Sequence, residues 1–435
     1  MFDYLKRIWK TAELRNKLIF TLLLLIVDRI AVHITVPVDH PEVITDIMEK
    51  NQMLGAFSAL MGGSMTRFSI VLMGLSPYIN ASIIIQLMTV VIPKLEAISK
   101  EGEEGQRKIQ KYTRVLTFPL AFLQSYGMIL LMNNTALQFG SPIIDDTSFI
   151  KMMPIMLTIT TGTLFLVWLG DQISEYGIGN GISLLIFTSI VSGIPSVVGQ
   201  TLGIAGESQE KYVVFAVLLA ITILLTIFIV LLNEGVRNIP VSYGARRGAT
   251  AQKSFLPIRV NQAGMIPIIF AVSLITFPSI FANFFRNSEN AIIKSIAEWI
   301  FANISGANPG VFYILIYFLL VIFFSYFYVS ITFNPDRVSE NIQKRGGFIP
   351  GVRPGRETSS YLGKVSSALN LWGGSALGII AIFPLVFTAV SSRTGAGAVP
   401  LLISGAGLII VVGTILELIR QINSEMIMHD YEKMY

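Results

Sequence analysis

An all-α integral membrane protein of ten spanning helices is what this sequence predicts, and three observations carry that expectation. Of its 435 residues, 53% are apolar and 14% charged, with a mean hydropathy of +0.65, whereas water-soluble chains carry roughly 25% charged residues. Ten largely apolar stretches approach the ~20 residues that a bilayer core of about 30 Å asks of a helix. The cations cluster in alternate intervals between those stretches.

The spans fall near 18–38, 69–92, 114–133, 149–170, 181–199, 212–233, 261–283, 309–333, 367–389 and 397–418. An even number places both termini on one side. Lys and Arg translocate poorly, so the basic side is the cytoplasmic one. With the N-terminus inside, that side takes Lys6, Arg7, Lys10, Arg15 and Lys17, then Lys94, Lys100, Arg107, Lys108, Lys111 and Arg114. It also takes Arg237, Arg246, Arg247, Lys253 and Arg259 in the interval 234–260, and Arg337, Lys344, Arg345, Arg353, Arg356 and Lys364 in the interval 334–366. Arg420 and Lys433 in the tail 419–435 bring the total to 24 of the 32 Lys and Arg. That asymmetry predicts a multi-pass protein with N- and C-termini in the cytoplasm.

Residues 1–17 place Phe2, Leu5, Ile8, Trp9 and Ala12 at helical spacing between charges, which suits an amphipathic helix on the membrane surface. The apolar run Leu18–Val27 follows this basic stretch without a small-residue cleavage site, and reads as an uncleaved first helix rather than a secretory signal. Asp28 and Arg29 sit toward the outer half of span 1, where adjacent opposite charges pair or reach the interface. Next comes LGAFSALMGGSMTRF (54–68), too broken to span. It reads either as a re-entrant, plug-like segment or as an ordinary external loop, since irregular backbone at membrane depth is tolerated only inside protein or a wet cavity.

Span 2 carries Ser76, Pro77, Asn80, Ser82 and Gln86, and polar groups at that depth face protein or water. Its Ile79 and Ile83 are i, i+4 neighbours on one face. Span 5 opens with GIGNGIS, offering Asn180 as a cap, and presents Ile182 and Ile186 as a second such pair. Each pair taken alone also fits plain helix packing. Span 7 is interrupted by Asn261, Gly264, Pro267 and Ser273. The interval 334–366 holds Gly346, Gly347, Pro350, Gly351, Pro354 and Gly355, so its backbone is shaped into turns rather than one continuous helix. Charge alone reads the two long basic intervals as topology signals. Their length and shaping add a docking surface for an acidic or polyanionic partner.

Several chemistries are excluded. There are no cysteines, which removes disulfides, thiolate metal sites and Cys nucleophiles. His33, His40 and His429 are too scattered for a histidine metal site. Spans 2 to 9 carry no mid-membrane Asp, Glu, Lys or Arg, which ion-coupled carriers and proton pumps need. No phosphate loop, zinc-protease motif or nucleophile elbow is present. No catalytic residue, cofactor or metal is expected. A secondary transporter would need a polar midplane site, and a membrane enzyme would need clustered acids, bases or metal ligands.

The segments SPYINASIIIQL (76–87), EGEEGQRKIQKYTR (101–114), GIGNGIS (177–183), LPIRVNQAGMIPIIFA (256–271) and FIPGVRPGRET (348–358) resemble, in order and spacing along the whole chain, those of the SecY family of protein-conducting channels. The resemblance implies two inverted, pseudosymmetric halves of five helices, here 18–199 and 212–418, around a central hourglass pore. It implies a central pore subunit that passes unfolded secretory polypeptides across, and membrane helices sideways out of, the bacterial cytoplasmic membrane. The implied constriction is a ring of Ile79, Ile83, Ile182, Ile186, Ile269 and Ile410, with Ile409 the other choice on the last span. Branched aliphatics make a dewetted seal against ions and offer a passing chain no lasting bond. The implied plug is about 56–68, with Phe57, Leu60, Met61, Gly62, Gly63 and Arg67. Gln86, Gln124 and Ser273 match a polar cluster at the family's lateral gate, where signal peptides intercalate toward the lipid bilayer. Arg246, Arg247, Lys344, Arg345, Arg353 and Arg356 match its docking surface for the ribosome and the SecA ATPase motor, Arg353 being the position tied to motor-driven export. SecE and SecG are the implied membrane partners of the channel, itself passive and driven by the motor, the ribosome or the proton-motive force on the nascent polypeptide.

Overall fold

The computed structural model describes residue 9 and residues 11–44, 62–138, 141–204, 209–243, 253–285, 290–304, 310–393 and 404–432. Phe57, Leu60 and Met61 of the implied plug, Arg246 and Arg247 of the first long basic interval, and most of the segment 1–17 lie outside them.

A helix meets each of the ten expected spans. In order these are α1 (Ala12–Val32), α2 (Ser76–Val91), α4 (Glu103–Gln138), α5 (Phe149–Tyr176), α6 (Gly181–Ile204), α7 (Gln209–Glu234), α8 (Ile266–Phe285), α10 (Val311–Thr332), α12 (Arg356–Arg393) and α13 (Gly405–Glu432). Three shorter helices join them: α3 (Pro93–Ser99), α9 (Ala291–Ile304) and α11 (Pro335–Lys344). Among the described residues, seven helices are long and apolar enough to cross a membrane on length and composition alone, and α2 with α3 forms an eighth, bent by 106° at their junction. The charges Glu13, Arg15, Lys17, Asp28 and Arg29 hold α1 short of that measure, although its central turns are apolar.

Among the boundaries that depart from expectation, three do so for identifiable reasons. The second span starts at Ser76 instead of 69, because residues 62–75 run in turns, with Gly62, Gly63 and Gly74 at positive φ, and Pro77 sits in the first turn of α2, where proline costs no hydrogen bond. α4 and α12, of 36 and 38 residues, begin well before 114 and 367. At 1.5 Å per residue each is longer than 50 Å, so their first turns, with Arg107, Lys108 and Lys111 on α4, lie beyond the ~30 Å core.

The larger departure is a small sheet in an otherwise helical chain. β1 (Val236–Tyr243) pairs antiparallel with β2 (Lys253–Arg259), Val236 opposite Arg259 and Ser242 opposite Lys253. The second basic interval adds β3 (Gly347–Phe348) to the other edge of β1, with Tyr243 opposite Gly347. Ile239, Val241, Ile258, Ile342, Ile349, Leu362 and Val365 form the apolar core beneath it. The two long basic intervals are therefore one folded body.

The chain divides into two compact units. One holds Met1–Phe215, Ser273–Pro309 and Ile410–Tyr435; the other holds Ala216–Val272 and Gly310–Ile409. In the first, residues 62–75 pack deep: Ser64, Met65, Phe68, Ser69, Val71 and Leu72 are buried, and the backbone is tied to the end of α1 by Val36 N–H to the Phe68 carbonyl (2.8 Å) and Ile70 N–H to the Ile34 carbonyl (3.0 Å). These backbone groups are thus satisfied within the protein, as irregular backbone at depth requires. In the second, α10 and α12 approach through small residues, Gly374 against Ser325 and Gly378 against Phe318, the usual device for close helices in lipid.

Candidate constriction and gate

Three of the four isoleucines in the first unit's two pairs meet at one apolar cluster. Ile79, Ile182 and Ile186 are half-buried at its margin, packed on Ala31, Val32, Val71, Leu75, Leu166, Leu169, Leu184 and Leu185. Ile83 is buried one turn along α2. What positions α6 is the turn before it. Gly179 takes φ 89°, a conformation glycine adopts freely. Asn180 caps α6 by accepting from Ser183 N–H at 3.2 Å, as its place in GIGNGIS predicts. Thr21 Oγ1 of α1 accepts from Ile178 N–H at 3.0 Å. Ser174 Oγ of α5 accepts from Gly181 N–H at 2.9 Å.

Two glycines bring the helices together. A Cβ on Gly181 would stand 1.9 Å from the Gly170 carbonyl oxygen, and one on Gly170 would stand 2.7 Å from Ile182 Cδ1. Ile182 is therefore set by backbone contact between α5 and α6 and not by side-chain packing alone.

In the second unit, Ile269 sits half-buried in the first turn of α8 between the buried Ile268 and Phe270. The turn ahead of it is fixed by Asn261, whose Oδ1 accepts from Gly264 N–H at 3.0 Å and whose Nδ2 donates to Asn233 Oδ1 at 2.8 Å. Ile409 and Ile410 on α13 are both buried, so burial does not choose between them.

The three polar residues matched to a side gate differ in state. Gln86 Nε2 donates to Ser82 Oγ on its own helix at 3.2 Å. Ser273 is buried. Gln124 is fully buried on α4, and neither its Oε1 nor its Nε2 has a hydrogen-bond partner among the described residues. A buried amide left unpaired costs about 1–3 kcal/mol, so the group calls for a specific explanation.

Lys344, Arg345, Arg353 and Arg356 are exposed on the sheet-bearing body. The turn that presents Arg353 lies between Gly351 (φ 84) and Gly355 (φ 96). It is tied by Thr358 Oγ1 donating to the Arg353 carbonyl (2.9 Å) and Ser339 Oγ donating to the Gly355 carbonyl (2.8 Å). Its shape is fixed without using the guanidinium. Gly62, Gly63 and Arg67 fall in the turn-rich stretch before α2.

Residues 69–419 match the family model for SecY. Across 99% of both chains the sequence is 38% identical to protein translocase subunit SecY of Streptomyces griseus, and equally so to that of Halalkalibacterium halodurans. The chain belongs to the SecY family. As a member of that family it is the pore subunit of a protein-translocation channel in the membrane, and not an enzyme.

Solved folds agree. A protein-conducting channel superposes with a TM-score of 0.65 at 17% identity over 94% of this chain and 92% of that one. A SecY channel whose plug domain stabilises the closed state gives 0.64 at 19%, over 94% and 92%. Sec61 in the canine ribosome–channel complex gives 0.60 at 18% over the same shares. Two features of this SecY-family site escaped the sequence reading. The Gly170–Gly181 contact joins residues on different helices and leaves no local periodicity. The sheet did leave a signal, since Ile239 and Val241 alternate with exposed neighbours on β1, but charge and Gly/Pro content masked it.

Proposed function

We propose that this chain gates its channel with an isoleucine constriction (Ile79, Ile83, Ile182, Ile186, Ile269 and Ile410), a plug that includes Gly62, Gly63 and Arg67, and a side gate marked by Gln86, Gln124 and Ser273. One observation carries the reading: Ile79 of α2 and the Ile182/Ile186 pair of α6 pack on a common apolar cluster, with α6 held against α5 by close backbone contact. A seal of branched carbons held on rigid supports excludes ions by dewetting and gives way to any apolar or polar chain without binding it. The plug assignment draws support from the buried, non-helical course of residues 62–75 and from the SecY relative whose plug domain maintains a membrane seal.

The unpaired amide of Gln124 suits a seam that opens, because a parting helix pair can admit a group that satisfies it. The two halves 18–199 and 212–418 would be the inverted repeats, with termini and basic body in the cytoplasm. The exposed cations Lys344, Arg345, Arg353 and Arg356, with Arg246 and Arg247, would dock the SecA motor or the ribosome, the latter seen with the Sec61 relative. SecE and SecG would complete the channel, and the partners or the proton-motive force would supply the energy.

The absence of cysteine makes the test clean. A single cysteine is placed at Ile83 or Ile269, and a secretory chain bearing one cysteine is stalled partway across. A disulfide between them is the expected product. Failure to capture the stalled chain from any of the six isoleucine positions would exclude the constriction.

A further inference from the structure

Asp28 and Arg29 stand among apolar residues of α1. Asp28 is buried, and its Oδ2 accepts from Arg29 Nε at 3.0 Å and from Nη2 at 2.7 Å. A pair of sequence neighbours could stop there, but the guanidinium reaches further. Nη2 also donates to Ser189 Oγ at 3.0 Å, and Nη1 donates to Ser192 Oγ at 2.5 Å, both on α6. Ser192 Oγ in turn donates to the Ser189 carbonyl at 2.9 Å.

The chain returns to this point at Gly62. A Cβ there would stand 2.6 Å from Arg29 Nη1, 3.0 Å from Ser192 Oγ and 3.1 Å from Ser189 Cα, and the residue holds φ +69. Three separate segments thus meet on one guanidinium: α1, α6, and the stretch that leads into α2. Along α6, Ser189 follows Ile182 and Ile186 at seven and three residues, which keeps all three on one face.

We propose that Arg29 is a positioning residue for gating, a clasp that seats the Gly62 end of the plug against the isoleucine-bearing face of α6 and sets how readily the channel opens. The proposal rests on the plug and constriction assigned above. Arginine suits the task because its planar fork serves Asp28 and both serines together. Lysine keeps the charge but has a single nitrogen to share. Glycine at 62 is required twice, by its φ and by the guanidinium lying where a side chain would go.

The test uses the complete channel in proteoliposomes, with two readouts: resting halide permeability, and export of one substrate carrying either an intact or a weakened signal sequence. Arg29→Lys, the double variant Ser189→Ala/Ser192→Ala, and Ile186→Asn are compared with the parent. Losing a charge-assisted hydrogen bond shifts a closed-to-open ratio by about tenfold, so both clasp variants are expected to leak about tenfold more and to raise export of the weak-signal substrate relative to the intact one. A channel that has only lost stability exports both substrates less and in parallel. That parallel loss, or a parental leak in the clasp variants beside a leaky Ile186→Asn, overturns the clasp. If Ile186→Asn is as tight as the parent, the constriction itself fails and the clasp falls with it.

Discussion

Gly181 has the backbone of Gly170 where its side chain would be, 1.9 Å from a built Cβ to the carbonyl oxygen. A methyl cannot be absorbed by rotation, because the obstructing atom is backbone. Gly181→Ala is expected to push α6 off α5 and to cost about 1–3 kcal/mol, the usual range for overpacking. Thermal unfolding of the purified protein in detergent should show a lowered midpoint, and an unchanged midpoint would mean that α5 and α6 do not touch at this glycine. The same residue shows what a sequence discloses at this scale. Ile182 and Ile186 were legible because helical period puts them on one face. Their support was not, because Gly170 and Ser174 reach them from a different helix. Arg29 is similar. Its neighbour Asp28 was visible as a partner, whereas Ser189, Ser192 and Gly62 become neighbours only through the fold.

Elements explain why two loops behave as one. β3 supplies only Gly347 and Phe348, and it pairs with β1 because Gly347 admits the Tyr243 ring, 2.7 Å from a built Cβ. Beneath the sheet, Ile342 of α11 is buried with Ile239, Val241 and Ile258. Ile342→Ala removes three carbons from that core and is expected to cost about 2–5 kcal/mol. Limited proteolysis should then cut both basic intervals faster, although the substitution lies in only one. Faster cutting confined to 334–366 would show that the loops fold separately. Arg353 sits in a turn held by Thr358 and Ser339 and not by its own side chain. Arg353→Glu should therefore leave this protease resistance unchanged while lowering motor-driven export about tenfold or more, the scale of losing a paired charge at a docking surface. Parental export would remove Arg353 from that surface. The turns around it were legible from their glycines and prolines, whereas α11, capped by Asn334, was not expected within an interval read as turns. The strands were not, because cations on both faces blur the alternation that reveals a half-buried sheet.

For the whole molecule, the distribution of charge makes the strongest statement, since 24 of 32 Lys and Arg fall in alternate intervals and each resists translocation. The structure adds a physical reason for the side to be permanent. Among the described residues, the basic intervals are extensions of α4 and α12 and a sheet-bearing body with its own core, which resists being drawn through a bilayer. On the opposite side by the same count, residues 141–148 are pinned, with Asn133 Oδ1 accepting from Ile143 and Ile144 N–H at 2.8 and 3.0 Å and His40 N–H donating to the Ile143 carbonyl. Single cysteines read this directly in a chain that has none of its own. Placed at the exposed Arg345, a cysteine should resist a membrane-impermeant thiol reagent in intact cells and react once the membrane is opened. Placed at the exposed Asp145, it should react in intact cells. Both readouts reversed would turn the protein over in the membrane. Both sites reacting from one side would break the odd count of crossings between residues 145 and 345: on the ten-span topology spans 4 to 8 lie between them, five crossings that must leave the two positions on opposite faces.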